Sequence, residues 1–294
     1  MIAWMKGDHI GRGIAFGALA YSLFALHDAS NKWLVATIPV WQILFFRSTV
    51  IVTGAIAVGG GPLLRRVATS PLRGPLAARA ALTLTAWLAY YSAARTLPLA
   101  QLLTLYFSAP IITTLLAIPL LGERVTGSRW VSVLLGFIGV LVAAAPGGVH
   151  ASRATLLVLA AAVTWGYAVI LMRKIARLEA SMVQLLAQNL FFMAATGLLS
   201  IATWVRPDAK HLALLVAVGV LGGCGQFLLF EAARFAPAAI MATVEYSALI
   251  WAFILGYLVF GDVPRPAVWT GASLIMLSGA LMLWRERRAV FRED

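Results

Sequence analysis

The chain has 294 residues, of which 62% are apolar and only 12% are charged, with a net charge of +12 and a mean hydropathy of +0.90. Soluble domains are about one quarter charged and just under half apolar, so this composition excludes an ordinary soluble protein. Apolar stretches such as residues 212–229 do not alternate with polar residues, which excludes the strands of a membrane β-barrel. We therefore predict an all-α integral membrane protein.

Ten apolar segments of membrane-spanning length follow one another from end to end of the chain. Turn-forming sequences such as 59–62, 146–148, 206–208 and 263–266 separate several of them. The predicted helices span residues 11–32, 39–58, 76–95, 98–121, 128–145, 153–173, 181–204, 211–232, 238–260 and 267–284.

Basic residues in the loops predict the orientation of these helices, since cytoplasmic loops are rich in Lys and Arg. With a cytoplasmic N-terminus, 16 basic residues lie inside and 6 outside, and Arg47 remains within helix 2. The outside residues are Lys32, Arg95, Arg153, Arg206, Lys210 and Arg265. Both termini are therefore predicted to be cytoplasmic, in a multi-pass protein of the cell inner membrane.

The two halves of the chain repeat one another at a constant offset of 139 residues. The first half is predicted to be residues 1–149 and the second residues 150–294, which ends in a short basic tail. The matched pairs are Arg95 with Arg234, Pro98 with Pro237, Ser108 with Ser247, Gly122 with Gly261 and Trp130 with Trp269. Near the start of each half, Ser22, Lys32 and Gln42 match Thr164, Lys174 and Gln184 at an offset of 142.

Five helices per half is an odd number, so the second half enters the membrane from the opposite side. This predicts an inverted repeat, the arrangement of many secondary transporters, whose substrate site lies near the midplane between the halves.

The sequence lacks phosphate-loop, zinc-protease, Cys-x-x-Cys and Gly-x-Ser-x-Gly motifs, and its one cysteine, Cys224, excludes an internal disulfide. We predict no enzyme activity, no cofactor and no metal. The predicted partners are the bilayer and a small-molecule substrate, without nucleic acid, and the oligomeric state is left open.

Several motifs point to a known family. The first half contains Pro110, the run Gly122-Glu123-Arg124-Val125, Trp130 and the run Gly136-Phe137-Ile138-Gly139, and it opens with Asp28-Ala29-Ser30-Asn31-Lys32 and Phe45-Phe46-Arg47. With ten helices in two inverted repeats, residues 10–285 resemble the EamA family of the drug/metabolite transporter superfamily, and the YddG-type amino-acid exporters within it most of all. The second half departs from the pattern, because Asp262 replaces a usual glutamate and Leu249 stands at the position of Pro110.

The resemblance implies a central cavity lined by helices 1, 3, 4, 6, 8 and 9. Its predicted floor is Glu245, Tyr106, Ser108, Tyr246 and Ser247. Glu245 is a carboxyl group in mid-helix, where an ionisable side chain is costly unless it is paired or functional. It could bind a substrate ammonium or carry a proton, or it could form a structural pair with Arg47.

Aromatic and polar side chains share faces on other helices. Helix 1 carries Tyr21, Phe24, Asp28 and Asn31 at spacings of 3, 4 and 3, and helix 3 carries Trp87, Tyr90 and Tyr91. With Trp165 of helix 6, the aromatic residues could line a cavity that accepts aromatic groups or a cation, or could simply pack between helices. Asp28 could instead pair with Lys32, four residues on. His27 could titrate near neutral pH or lie hydrated at a helix end.

Polar residues of helices 7 and 8, Gln188 and Gln226, could bind a zwitterion or join helices. The glycine pair Gly219 and Gly223 is expected to permit close helix packing.

The favoured hypothesis is export of aromatic or neutral amino acids by alternating access. The alternative is import of a metabolite or cofactor such as S-adenosylmethionine, and an intramembrane enzyme is a remote third.

Overall fold

A computed structural model describes residues 3–121, 127–144, 152–176, 178–235, 244–245 and 247–290. The described residues are helical without any strand, and the predicted all-α class is confirmed. The helices are α1 Ala3–Leu34, α2 Val40–Thr69, α3 Arg73–Ala94, α4 Leu99–Tyr106, α5 Ser108–Leu121, α6 Gly127–Ala144, α7 Arg153–Ala176, α8 Ser181–Ser200, α9 Ala209–Phe235, α10 Ser247–Phe260 and α11 Pro266–Val290, with a 3₁₀ turn at Ile201–Thr203.

One predicted helix is interrupted and one predicted break is confirmed. The predicted helix 98–121 is broken at Phe107 into α4 and α5. Pro110 has no N–H to donate to the carbonyl of Tyr106, so one helical hydrogen bond is lost at this point. The break predicted at residues 59–62 is confirmed as a kink at Gly60, although helix α2 resumes after it. Gly60 there has a φ of 58°, a conformation that favours glycine, and the helix then continues to Thr69.

Within the described part of the chain, four stretches are long and apolar enough to cross a membrane: Val40–Thr69, Arg153–Met172, Ser181–Thr203 and Ala209–Ala232. Shorter apolar stretches lie in the α4–α5 region, in α10 and in α11. Large apolar side chains on several helices remain exposed, including Leu199 and Leu258. Exposed apolar surface of this extent is typical of contact with a membrane.

The helices pack in a regular set of pairs. The most extensive contacts join α1 with α9, α6 with α11, α2 with α8 and α3 with α7. Further contacts join α5 with α7, α1 with α10, α2 with α9, α3 with α8 and α4 with α10. The main hydrophobic core includes Leu102 and Phe107 at the α4–α5 break and Tyr90 and Tyr91 of α3, beside the central cavity described below.

The long helices α2 and α8 are joined by hydrogen bonds at both ends. Beyond the end of α8, the Gln42 amide donates to the carbonyl of Val205 at 2.6 Å and accepts from its N–H at 2.9 Å. At the other end, the Ser70 hydroxyl donates to the Glu179 carboxylate at 2.6 Å. These contacts hold α2 and α8 as one unit against which α3 and α9 pack.

Candidate functional site

A central cavity of about 700 Å³, including its open mouth, lies between α1, α3, α4, α7, α9 and α10. These are the six helices expected to line it. The structure brings nine of the fifteen predicted site residues into its wall. They are Tyr21, Phe24, Asp28, Trp87, Tyr90, Tyr91, Tyr106, Trp165 and Glu245.

Two carboxyl groups line the central cavity. The Tyr90 hydroxyl donates to Asp28 at 3.3 Å, and Nδ1 of His27 lies 3.2 Å from the other Asp28 oxygen. The Glu245 carboxyl group lies close to the Tyr21 hydroxyl. Both side chains are only partly buried, so each retains acceptor capacity toward the cavity.

The two ion pairs considered from the sequence do not form. Lys32 bonds to Asp262 and lies 4.4 Å from the ring centre of Phe260 instead of pairing with Asp28, because the end of α1 lies against the loop after α10. Within the described residues, Arg47 has no ion pair with Glu245. In the described residues the two acidic groups of the central cavity therefore have tyrosines and a histidine as their direct neighbours, and Arg47 reaches Asp28 only through His27.

Aromatic rings form much of the remaining wall. Tyr90 stands edge-on to Tyr91 and Tyr106, with ring centres 5.6 and 5.2 Å apart. Trp87 lies 6.2 Å from Tyr91. Trp87, Tyr106 and Trp165 are half-buried, so parts of their rings face the cavity while other parts pack between helices. These rings can therefore contact a cation or an aromatic ligand and pack between helices at the same time.

Arg47 is fully buried behind this wall. Its guanidinium lies 4.1 Å from the ring centre of Trp87, and it donates to His27 Nε2 at 3.2 Å and to Asn189 Oδ1 at 3.4 Å. Gly222 of α9 makes room for it, since a Cβ there would lie 2.6 Å from Arg47 Nε. Arg47 is therefore packed on all sides and supports Trp87 rather than facing the cavity.

A second cavity of about 330 Å³, here called the arginine compartment, adjoins the central cavity. Its lining includes Arg79, Thr83, Gln188 and Gln226, and Phe24, Trp87, Trp165 and Leu229 border both cavities. Arg79 is 2% exposed and donates to Gln184 at 3.0 Å and to Gln188 at 2.7 Å. The predicted polar residues Gln188 and Gln226 thus line the arginine compartment and not the central cavity.

The remaining predicted site residues that the structure describes lie outside both cavity walls. Asn31 is buried beside His27, with its Nδ2 3.2 Å from the ring nitrogens. Ser108 is buried at the start of α5, and the Ser247 hydroxyl donates to the carbonyl of Val244 at 2.6 Å. Tyr246 lies outside the described residues. The expected pair of symmetric serine contacts is not formed at the central cavity.

Sequence reasoning missed two residues of these walls. His27 is 2% exposed and touches both Asp28 and Arg47, so the idea of a hydrated histidine at a helix end is wrong. Arg79 was counted as a cytoplasmic basic residue but is buried inside the bundle. The spacing of the sequence could have indicated that Arg79 faces the inside of the bundle. Arg79, Thr83 and Trp87 follow one another at four-residue spacing and so share one face of α3.

Comparisons with known proteins identify the family. The model of the EamA-like transporter family matches residues 11–145 and again 152–284. The S-adenosylmethionine uptake transporter of Rickettsia bellii is 25% identical over 287 residues, covering 96% of each chain. The riboflavin transporter of Rhizobium johnstonii is 30% identical over 293 residues, covering 94% of this chain and 92% of its own.

A solved crystal structure aligns over 95% of this chain and 99% of its own with a TM-score of 0.71, at 20% identity, and so supports the fold alone. The two family matches together span most of the chain and include every described wall residue of both cavities. The chain belongs to the EamA-like transporter family.

Proposed function

We propose that this membrane transporter is a secondary transporter that imports a small cationic metabolite bearing an aromatic group, such as S-adenosylmethionine, by alternating access. The observation that carries the proposal is the pairing of Asp28 and Glu245 with an aromatic wall in one cavity.

The chemistry of S-adenosylmethionine matches this wall group by group. Its sulfonium and ammonium are cations, which carboxylates and the faces of Trp and Tyr attract. Its adenine is a flat ring that stacks on or stands against aromatic side chains. Trp87, Tyr90 and Tyr106 supply the rings, and Asp28 and Glu245 supply the negative charge. The named function of the Rickettsia relatives supports the same substrate.

Riboflavin is the second candidate. Relatives from Rhizobium, Vibrio and Brucella are named riboflavin transporters, and a flat tricyclic ring would also suit the aromatic wall. A neutral vitamin, however, leaves Asp28 and Glu245 without a cation to bind. Export of aromatic amino acids, the hypothesis first drawn from the sequence, uses the same residues but has less support, since the relatives above are named for other substrates.

We further propose that the protein is built of ten spanning helices as two inverted repeats in the cytoplasmic membrane. Exchanging the halves turns the α1–α9 contact into α3–α7, α1–α10 into α5–α7, and α2–α9 into α3–α8. The α2–α8, α6–α11 and α4–α10 pairs map onto themselves. Arg47 and Asn189 are also related by the offset of 142 and contact each other at 3.4 Å, as residues near a twofold axis would.

The proposal is tested by uptake into liposomes containing the purified protein. Labelled S-adenosylmethionine should enter saturably, and unlabelled riboflavin or amino acids should compete weakly. Asp28→Asn and Glu245→Gln should each raise KM by about tenfold, since tenfold corresponds to about 1.4 kcal/mol of lost binding.

The matched control is Glu231→Gln. Glu231 pairs with Arg234 on α9 at 3.0 Å and lies outside the central cavity, so its replacement should leave KM unchanged. Equal KM values for the wild type and for both cavity variants would contradict the role of the carboxylates. Saturable uptake of riboflavin without uptake of S-adenosylmethionine would favour the second candidate.

A further inference from the structure

The arginine compartment contains a buried cation with capacity to bind an anion. Arg79 Nη1 and Nη2 donate to the side-chain oxygens of Gln184 and Gln188, while its Nε is buried and has no hydrogen-bond partner among the described residues. A guanidinium carries five N–H donors in a planar fork. Most of the donor capacity of Arg79 is therefore left over.

The charge of Arg79 is also not neutralised by its neighbours in the described residues. Its two hydrogen-bond acceptors are neutral amides, and its guanidinium lies 4.9 Å from the ring centre of Phe230. Burying a charge inside a membrane protein is costly, and such residues usually mark substrate pathways or find an opposite charge. The open space beside Arg79 could admit that opposite charge as part of a ligand.

The arginine compartment adjoins the central cavity. Phe24, Trp87, Trp165 and Leu229 line both. On α3, Arg79 and Tyr90 are eleven residues apart, so their levels differ by roughly 16 Å along the helix axis at 1.5 Å per residue. A ligand that contacts both groups must be elongated.

We propose that the arginine compartment is the anion subsite of the transport pathway, in which Arg79 binds the carboxylate of the substrate. This rests on the proposed function, and it narrows the substrate to elongated metabolites with an anionic end and a cationic or aromatic body. The Arg79 fork binds the carboxylate through two parallel N–H donors, the arrangement for which arginine is preferred over lysine. Gln184 and Gln188 hold the guanidinium in position.

The test compares ligands that differ only by the anion. Binding of S-adenosylmethionine and of its decarboxylated analogue is measured by thermal stabilisation of the purified protein, since a ligand that binds the folded state raises its apparent stability. The wild type should bind the carboxylated form about tenfold or more tightly, as expected for hydrogen bonds between charged groups. The same comparison is made between riboflavin phosphate and riboflavin.

The decisive variant is Gln188→Glu. Its carboxylate would pair with Arg79 in place of the amide, so the buried charge stays compensated and the fold is retained while the guanidinium is occupied. The preference for the carboxylated ligand should fall to less than about twofold, on the same conversion of affinity. Gln101→Glu is the matched control, because it makes the same change beside Arg265, 3.2 Å away and outside both cavities.

The outcomes separate the two proposals. Equal binding of the carboxylated and decarboxylated forms by the wild type would overturn the anion subsite while leaving cation transport intact. A Gln188→Glu variant that retains the full preference would also overturn it. Absence of binding by all four ligands would contradict the proposed function and the subsite together.

Discussion

Arg47 and Arg79 show at the residue scale that two buried arginines of one protein can have different surroundings. Both are buried, both lie over an aromatic ring and both donate to amide side chains. Arg47 is enclosed by His27 and by the backbone at Gly222. Arg79 borders the open space of the arginine compartment and retains an unpartnered Nε.

Asp208 gives a residue-scale prediction about pH, at a position outside the spanning helices. It precedes α9, and its carboxylate accepts from the backbone N–H of His211 and lies 2.8 Å from His211 Nδ1. These hydrogen bonds, the backbone one first, lower the pKa of Asp208 below its usual value. A lowered pKa means that the ionised form stabilises the fold above about pH 4, the ordinary Asp value, and that this contribution is lost as pH falls through the lowered pKa.

Asp208→Ala should therefore lower the melting temperature in detergent at neutral pH, and the difference from wild type should shrink below about pH 4. The measurement is a series of melting curves of both proteins from neutral to acidic pH. Asp208→Asn keeps an acceptor for the helix N-terminus and should show a smaller loss. A wild-type advantage that stays constant down to pH 3 or so would show that ionisation of Asp208 is not its source.

Helix α9 illustrates packing at the scale of an element. A Cβ at Gly219 would lie 2.5 Å from Cβ of Val50, and one at Gly223 would lie 2.9 Å from Cγ1 of Ile51. The glycine pair therefore lets the backbones of α9 and α2 approach closely, as predicted from its four-residue spacing. In lipid no hydrophobic driving force brings helices together, so close van der Waals packing at small residues stabilises such contacts.

Gly219→Ala should consequently loosen the α2–α9 contact. The clash is with a Cβ, which cannot rotate away, so a loss of about 1–3 kcal/mol is expected. Thermal melting in detergent measures it. Gly54→Ala is the control, since nothing lies within 4 Å of a Cβ at that position of α2. Equal melting temperatures for the two variants would contradict close packing at Gly219.

The break between α4 and α5 is a second feature at this scale. It places Tyr106 and Phe107 at the cavity wall where a continuous helix would run past it. In the second half, Leu249 stands at the position of Pro110, and α10 begins at Ser247, the position that matches Ser108. The two halves therefore present different chemistry to one cavity, a tyrosine from the first and a carboxyl group from the second.

At the scale of the whole molecule, one end of the bundle is held together by long-range polar contacts. Lys32 of α1 pairs with Asp262 in the loop after α10, and Arg265 of the same loop donates to Gln101 of α4 at 3.2 Å. Alternating access requires the two sides of the cavity to separate at one end and then at the other. These contacts should therefore break during each transport cycle.

Linking Lys32→Cys to Asp262→Cys with a short, reducible thiol cross-linker in a Cys224→Ser background should stop uptake. The block follows because α1 and the loop can no longer separate, and reductant should restore the rate. Uptake into liposomes before and after reduction measures it, and each single cysteine treated alike provides the control. Undiminished uptake by the fully cross-linked protein would contradict opening at this end.

Much of the site was predictable because it depends on local register. Trp87, Tyr90 and Tyr91 share a face of α3 through their spacing alone, and the structure places that face on the central cavity. Arg79 lies on the same face but was missed, since a basic residue near a helix end is usually topological. Ser108 and Ser247 failed as wall residues because the α4–α5 break and the start of α10 turn those positions elsewhere.

The sequence by itself determined the class of protein, most of the helices, the duplication and the residue types in the wall of the central cavity. Hydropathy and helical periodicity are properties of neighbouring residues, so they can be obtained without knowing the fold. Only the tertiary structure decided which charges meet. Lys32 pairs with Asp262, 230 residues away, and not with Asp28. The energy of an ion pair depends on the distance between its atoms and on the water around them. The packing of the helices determines both.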